Sequence, residues 1–291
     1  MPNNTKKWVY LIALSLVWGS SFILMKYALM GLSPIQVGSL RIIITTFILL
    51  IFGFKSLFSL TAKNWLHITI SAILGTLIPV FLFAVAINNM DSAIAAILNS
   101  FVPFNALIIG ALVFGFTFQR NQIFGILIGL IGTILLIING HSVTNIADYK
   151  YPAMILLASV GYAFNANIVK RYLQEVKPLA ITTGTFAVVL IPALIILMNT
   201  TFFETVEFNA VTKKSLLYIS ILSIVGTAIA KVFFNKLLQI SSPIFSTSVT
   251  YLIPIVAVFW GFLDGERLTF TQILSGMVIL FGVFLVNRAK N

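Results

Sequence analysis

The polar side chains that offer chemistry in this chain are mostly amides, hydroxyls and aromatic rings set within long apolar runs. The candidates for contact with a bound molecule are Trp18, Ser21, Asn88, Asn99, Tyr162, Asn165, Asn167, Lys231, Asn235, Thr250 and Tyr251. Amides and hydroxyls form hydrogen bonds without carrying charge, and Trp and Tyr add flat apolar walls. Polar groups within apolar spans usually face a protein interior or a watery cavity. The pattern therefore predicts a chamber for a small polar molecule.

Lys231 stands out among these candidates because it lies deep within an apolar run. Asn235 follows one helical turn later, on the same predicted face. A buried ammonium can hold a carboxylate of a bound molecule. The alternative is that the long side chain extends to the membrane interface or caps a carbonyl.

Four further residues are candidates for gating or structural roles. Arg41 lies in the outer third of the second apolar run, where it could pair with an outer carboxylate such as Glu266, bind helix-end carbonyls or gate the outer side. Pro103 and Pro254 fall near the middle of two other runs, and each lacks a backbone donor. The resulting kinks could be hinges or static bends.

Several classes of function are excluded by what the sequence lacks. There is no cysteine, and no acidic residue lies in the middle of an apolar run. His67 and His141 lie at or beyond the ends of such runs, and no metal-binding, nucleophile-elbow or phosphate-loop motif occurs. We therefore expect no enzyme activity, no cofactor and no metal. The net charge of +11 does not indicate nucleic-acid binding, because the basic residues lie in short gaps between apolar runs.

The elements that would hold these residues are membrane-spanning helices. The chain is 59% hydrophobic and 9% charged with a mean hydropathy of +1.07, whereas soluble domains carry about 25% charged residues. About 20 apolar residues cross a bilayer as a helix. Ten segments qualify, at about 8–28, 35–54, 65–87, 92–114, 122–139, 151–171, 178–198, 215–238, 243–263 and 271–287. The predicted fold class is an all-α integral membrane protein of ten transmembrane helices.

The basic residues predict the orientation of these helices. With the N-terminus in the cytoplasm, 11 Lys and Arg residues fall on the inner side and 5 on the outer side. Cytoplasmic loops are enriched in Lys and Arg, so both termini are predicted to be cytoplasmic. The first apolar run has no small-residue cleavage site and reads as a retained helix rather than a signal peptide.

The sequence also repeats itself. Gly75-Thr76 recurs as Gly226-Thr227, and Pro103 as Pro254, at one constant offset of 151 residues. Earlier in the chain the offset is 144, so that Trp18 matches Tyr162. Each half, 1–143 and 144–291, then holds five spans, and an odd number inverts the second half relative to the first around a central cavity. The alternative is chance recurrence of Gly and Pro in apolar sequence.

At these residues the chain resembles the EamA-type ten-helix members of the drug/metabolite transporter superfamily. The segments that carry the resemblance are Trp18-Gly19-Ser20-Ser21-Phe22, Leu40-Arg41, Asp91 through Pro103, and Gly265-Glu266-Arg267-Leu268. The chain has Gly115-Phe116-Thr117 where family members often carry a second Glu. The resemblance implies a basket of helices whose first, third, fourth, sixth, eighth and ninth members line a cavity. Relatives move amino acids, other metabolites, nucleotide sugars or drugs.

The function expected from repeat and resemblance is secondary transport of small organic solutes by alternating access. Amino acids or related metabolites, moved outward across a bacterial inner membrane, are the leading expectation. A multidrug efflux carrier and a non-catalytic channel are the alternatives. The expected partners are a small-molecule substrate and membrane lipid, without nucleic acid, and the protein could be a monomer or a homodimer.

Overall fold

The computed structural model describes residues 3–90, 92–138, 149–205, 207, 209–263 and 269–288. Within these ranges the regular structure is helical, and no strand occurs. Glu266 and the segment around it, which the sequence offered as partners for Arg41, lie outside the described residues. The same is true of His141 and Asp91.

The first half of the chain contains seven helices. They are α1 (Asn3–Ala28), α2 (Pro34–Leu57), α3 (Ala62–Ala72), α4 (Ile78–Asn89), α5 (Ser92–Asn99), α6 (Val102–Leu112) and α7 (Arg120–Ile138). A π-helical turn, Ile73–Leu77, joins α3 to α4, so that one helical segment runs over Ala62–Asn89.

The second half contains eight helices in the described residues. They are α8 (Lys150–Tyr172), α9 (Pro178–Met198), α10 (Phe202–Thr205), α11 (Ala210–Ser223), α12 (Ala230–Ile240), α13 (Pro243–Thr247), α14 (Val249–Leu263) and α15 (Phe270–Arg288). A second π-helical turn, Ile224–Ile229, joins α11 to α12 within the segment Ala210–Ile240. The two π-helical turns begin 151 residues apart, which is the offset of the sequence repeat.

The helices have the length and surface of a multi-pass membrane protein. Six helical segments in the described ranges are long and apolar enough to span a bilayer, and four further apolar helices are shorter. Large apolar side chains such as Ile51, Phe52 and Met198 are more than 70% exposed. An apolar exterior is stable because lipid is the surrounding solvent and each helix satisfies its own backbone groups.

Local sequence signals define several helix ends. The Ser33 hydroxyl accepts a hydrogen bond from the backbone N–H of Gln36, whose side-chain oxygen accepts one from the backbone N–H of Ser33, and this capping box begins α2. The side-chain oxygens of Asn209 and Ser242 each accept a hydrogen bond from a backbone N–H three residues later and cap α11 and α13. At the C-terminal end of α12, Lys170 donates a hydrogen bond from Nζ to the carbonyl of Ser241 at 2.7 Å.

Helices from the two halves pack in matching pairs. The most extensive contacts are those of α7 with α15 and of α2 with α9. Gly125 and Gly129 lie against Gly282 so closely that a Cβ on Gly282 would meet the backbone of both. Small residues at such a crossing let two helix backbones approach each other. Gly125 and Gly129, one helical turn apart on α7, thus form a small-residue face that packs inside the molecule.

The fourth and ninth predicted spans are interrupted rather than simply kinked at proline. The fourth is divided between α5 and α6 at residues 100–101, and Pro103 is the second residue of α6. At that position the missing N–H costs no intrahelical hydrogen bond, so the predicted mid-helix kink at Pro103 is corrected to a break that precedes it. The ninth breaks at Ser248 between α13 and α14, and Pro254 lies inside α14 as expected.

Candidate functional site

A cavity lies at the junction of the two halves. It encloses about 130 Å³ and is lined by residues of α1, α2, α4 to α6, α8, α9, α12 to α14 and both π-helical turns. Seven of the eleven residues predicted to contact a bound molecule line it, namely Trp18, Ser21, Asn99, Tyr162, Asn165, Lys231 and Thr250. Arg41, predicted to have a gating or structural role, lines it as well. The structure therefore brings most of the polar candidates to one place.

Lys231 reaches across the cavity to the opposite half of the chain. Its Nζ donates to the carbonyl of Gly75 at 3.0 Å and lies 5.8 Å from the ring centroid of Tyr162. That carbonyl belongs to the first π-helical turn, where wider helical winding changes the direction of backbone groups. The ammonium is therefore held by a neutral acceptor and an aromatic face.

Arg41, in the first half of the chain, makes the corresponding contact with the second half. Its Nε donates to the hydroxyl of Thr227 at 2.8 Å, and Thr227 belongs to the second π-helical turn. The Thr227 hydroxyl in turn donates to the carbonyl of Leu222 at 3.0 Å. The predicted partner Glu266 lies outside the described residues, so the pairing with it stays a prediction.

Two aromatic pairs line the cavity. Trp18 donates from Nε1 to the carbonyl of Gly226 at 3.0 Å, and its ring lies 5.1 Å from that of Phe234. Tyr162 lies 5.9 Å from Phe83 between ring centroids. These two pairs are related by the repeat offsets, since Trp18 corresponds to Tyr162 and Phe83 to Phe234.

Two residues that line the cavity also carry unpaired side-chain oxygens. The oxygens of Asn99 and Thr76 are buried, and neither has a hydrogen-bond partner among the described residues. Asn165 differs, because its Oδ1 accepts a hydrogen bond from Ser71. A buried polar atom without a partner costs about 1–3 kcal/mol, so a small rearrangement that let water or a ligand reach these two oxygens would be favourable.

The remaining four candidates lie elsewhere. Asn88 is exposed at the end of α4, and Asn167 donates to the carbonyls of Ala106 and Ala163. Asn235 donates to Thr182 at 2.9 Å, and the hydroxyl of the fully buried Tyr251 donates to Ile126 at 2.9 Å. Their positions are those of surface and packing residues, and we do not include them in the candidate site.

The cavity wall is built largely from residues that correspond in the two halves. At the offsets of 144 and 151 residues, eight pairs contribute both members. They are Trp18 with Tyr162, Ser21 with Asn165, Gly75 with Gly226, Thr76 with Thr227, Val80 with Lys231, Phe83 with Phe234, Asn99 with Thr250, and Val102 with Ile253. Sequence reasoning did not assign Thr76, Thr227 or the two Phe residues to the site. The recurring Gly-Thr pair was the signal that could have found the first two.

Glycine at two of these positions permits a close approach between helices. A Cβ on Gly75 would collide with the side chain of Asn165, and one on Gly226 would lie 2.9 Å from the hydroxyl of Ser21. Ser21 and Asn165 are themselves a corresponding pair. Each π-helical turn is thus packed through a glycine against a polar residue of the opposite half.

Comparison with known proteins points to one family. The sequence matches the EamA-like transporter family twice, over residues 6–138 and 150–288. An uncharacterized inner membrane transporter of Escherichia coli K12, YedA, is 28% identical, with 96% of this chain and 90% of the relative covered. A probable amino-acid metabolite efflux pump of Salmonella typhimurium LT2 is 26% identical, over 92% of this chain and 90% of the relative.

One solved crystal structure has a similar fold. It superposes with a TM-score of 0.75 at 14% sequence identity, over 97% of this chain and 96% of the other. An uncharacterized transporter of Archaeoglobus fulgidus is 26% identical and covers 99% of both chains. The similarity to these proteins runs over the whole chain rather than over one half.

Proposed function

Because the chain belongs to the EamA-like transporter family, a family of transporters and not of enzymes, we propose that it is a secondary carrier of small organic solutes. The proposed cargo is an amino acid or a related metabolite, and the proposed direction is export by alternating access. The relative in Salmonella named as a probable amino-acid metabolite efflux pump supports this choice of cargo and direction.

The architecture in this proposal is ten transmembrane helices in two inverted halves, 1–143 and 144–291. The reciprocal packing of helices supports it, since α1 packs on α14 and on the α11–α12 segment, while α8 packs on α6 and on α4. Five spans in each half turn the second half over in the membrane. Two halves of one design in opposite orientations can open a central cavity to either side in turn.

The observation that supports the proposal most directly is that both halves of the chain contribute corresponding residues to the cavity wall. Eight residue pairs that correspond in the two halves line a single chamber, and both π-helical turns contribute to it. A chamber shared equally by two halves can be exposed by rocking one half against the other, which is how many secondary carriers work. A pore would instead need a continuous lining through the molecule.

The size of the cavity favours a small cargo over a drug. About 130 Å³ is enclosed, whereas pockets for drug-sized ligands usually have about 300–1,000 Å³. No carboxylate of the described residues lines the chamber, and a carboxylate would be the natural partner of a cationic drug. We therefore favour metabolite transport over multidrug efflux.

We also propose that the protein resides in a bacterial inner membrane with both termini in the cytoplasm. The distribution of basic residues, 11 inside against 5 outside, supports this orientation. The name of the Escherichia coli relative, an inner membrane transporter, supports the location.

Counterflow in proteoliposomes tests the proposal. Vesicles holding purified protein would be loaded with an unlabelled amino acid or its 2-oxo acid, and uptake of the same compound in labelled form would be followed. A carrier gives a transient, saturable overshoot that protein-free vesicles lack. Absence of counterflow for every amino acid and every corresponding 2-oxo acid would contradict the proposal, and non-saturable flux would indicate a channel.

A further inference from the structure

Two cations of the cavity have donor groups that the protein leaves unused. Arg41 has five N–H donors, and in the described part of the chain it makes one hydrogen bond, from Nε to Thr227. Lys231 has three donors and makes one hydrogen bond, to the carbonyl of Gly75. Both acceptors are neutral. Most of the donors of the two cationic groups are therefore available to a bound molecule.

No carboxylate balances these charges within the described residues. Glu175, Glu204 and Glu207 are exposed in or near the connections between helices. The four other acidic residues of the chain, Asp91, Asp148, Asp264 and Glu266, lie outside the described residues, in the sequence between predicted spans. Two cations that no described carboxylate neutralises are costly inside a membrane protein, because the low-dielectric surroundings replace little of the hydration that each has lost.

The charge of a bound molecule determines how much of the desolvation cost of the two cations it offsets. With both cations protonated, a dianion neutralises the cavity, a monoanion leaves one positive charge, and a zwitterion leaves two. An amine adds a third. Neutral acceptors such as the oxygens of Asn99 and Thr76 can accept hydrogen bonds from an ammonium, but they do not offset its charge.

We infer that the cargo is a small organic acid of net negative charge, bound through a carboxylate placed between Arg41 and Lys231. The inference rests on the proposed transport function and narrows its substrate class. A planar guanidinium binds a carboxylate with two parallel hydrogen bonds, and the ammonium adds a third donor from the other half of the molecule. The aromatic walls formed by Trp18 with Phe234 and by Tyr162 with Phe83 then receive the carbon skeleton.

Asn99 extends this assignment to a second polar group of the cargo. Asn99 lines the same cavity as the two cations, and its buried Oδ1 has no partner in the part of the chain that the structure describes. An amide offers both a donor and an acceptor. It therefore suits a keto or hydroxyl oxygen beside the carboxylate, as in 2-oxo and 2-hydroxy acids.

Ligands with one skeleton and three charges test the inference directly. 2-Oxoisovalerate, valine and valinamide carry charges of −1, 0 and +1 at neutral pH, and 2-oxoglutarate adds a dianion. Thermal unfolding of the purified protein is measured against the concentration of each compound, because a ligand that binds the folded state raises its unfolding temperature. We expect the anions to bind at least about tenfold more tightly than valine, and valinamide not to bind.

Variants locate the binding site. R41Q and K231M should each weaken binding of 2-oxoisovalerate by at least about tenfold, whereas K26Q removes an exposed lysine of α1 and should leave it unchanged. The double variant V80K/K231V moves the ammonium to the corresponding position of the other half. It should restore much of the binding that K231V alone loses, because Val80 lines the same cavity.

The outcomes separate this inference from the proposed function. Equal or tighter binding of valine than of 2-oxoisovalerate overturns the inference, and so does binding of the anions that R41Q and K231M leave intact. Failure of every anion to stabilise the wild-type protein also overturns it. Saturable counterflow of valine in the proteoliposomes would, in each of these cases, leave the proposed transport function standing.

Discussion

Lys231 and Gly75 lie 156 positions apart in the chain, yet the lysine Nζ is 3.0 Å from the glycine carbonyl. This hydrogen bond fastens α12 of the second half to the π-helical turn of the first. Arg41, which belongs to the first half, binds the second π-helical turn through the hydroxyl of Thr227. Each cation therefore connects its own half to the irregular turn of the other. An anion that draws either side chain toward itself would loosen that connection at the moment of binding.

Replacement of Gly75 by alanine should weaken both the fold and the site. The added Cβ would collide with the side chain of Asn165, which also accepts a hydrogen bond from Ser71. Overpacking of this kind costs about 1–3 kcal/mol. We expect G75A to unfold at a lower temperature than the wild type and to transport more slowly, as measured by thermal unfolding in detergent and by counterflow.

Gly276 provides the control for that substitution. It lies within α15, and apart from the nearby backbone of that helix no described atom lies within 4 Å of the position where a Cβ would be built. Alanine is favoured over glycine within helices by about 1 kcal/mol, so G276A should unfold at the same or a higher temperature. If G276A loses as much stability as G75A, the collision with Asn165 is not the cause.

Tyr251 is expected to stabilise the fold without contacting the cargo. Its hydroxyl donates to the carbonyl of Ile126 and thereby connects α14 to α7. Y251F would remove this buried hydrogen bond at a cost of about 0.5–1.5 kcal/mol, while the Ile126 carbonyl, inside α7, keeps its intrahelical partner. We expect a lower unfolding temperature and an unchanged affinity for the transported compound. A large loss of affinity with an unchanged unfolding temperature would instead indicate that Tyr251 contacts the transported compound.

Lys170 should stabilise the end of α12. Its ammonium donates to the carbonyls of Gln239 and Ser241, groups at a helix C-terminus that lack intrahelical partners. A hydrogen bond from a charged group contributes about 1.5–3 kcal/mol, so K170M should unfold at a clearly lower temperature. The neighbouring Arg171 is exposed, and R171M serves as the control. Similar losses in the two variants would contradict a role for the cap.

The proposed orientation can be tested by labelling, because the chain contains no cysteine to be removed first. S59C places a thiol in the exposed connection between α2 and α3, and E204C places one in the short exposed helix α10. In intact cells a membrane-impermeant maleimide should label E204C, and S59C only after the cells are opened. The reverse result would invert the topology and move both termini outside.

Much of the fold follows from composition, since each of the ten predicted apolar segments is wholly or mostly helical where the structure describes it. The division of the fourth and ninth segments did not follow, because hydropathy does not distinguish a continuous apolar helix from two short ones. Ser100 and Ser248, at these breaks, looked like ordinary small residues. The π-helical turns were also unforeseen, although the Gly-Thr pairs within them were recognised as a repeat.

The sequence predicted which helices contribute to the site better than it predicted which face of each helix points into the cavity. Asn165 lines the cavity, but Asn167, two residues later on the same helix, points to α6 because each residue turns the helix by about 100°. Asn235 lies on the same helix face as Lys231, yet its side chain donates a hydrogen bond to Thr182 of α9. Such choices depend on neighbouring helices that are distant in sequence.

Val80 and Lys231 occupy equivalent positions in the two halves, yet only one of them is charged. If the halves exchange shapes as the cavity changes sides, a carrier with identical halves would face either compartment equally often. The ammonium of Lys231 adds to the differences between the halves that remove this degeneracy, because it would meet different acceptors in the two forms. A difference of about 1.4 kcal/mol already sets a ratio of ten to one. We therefore expect the residue proposed to bind the cargo also to bias which compartment the empty protein faces.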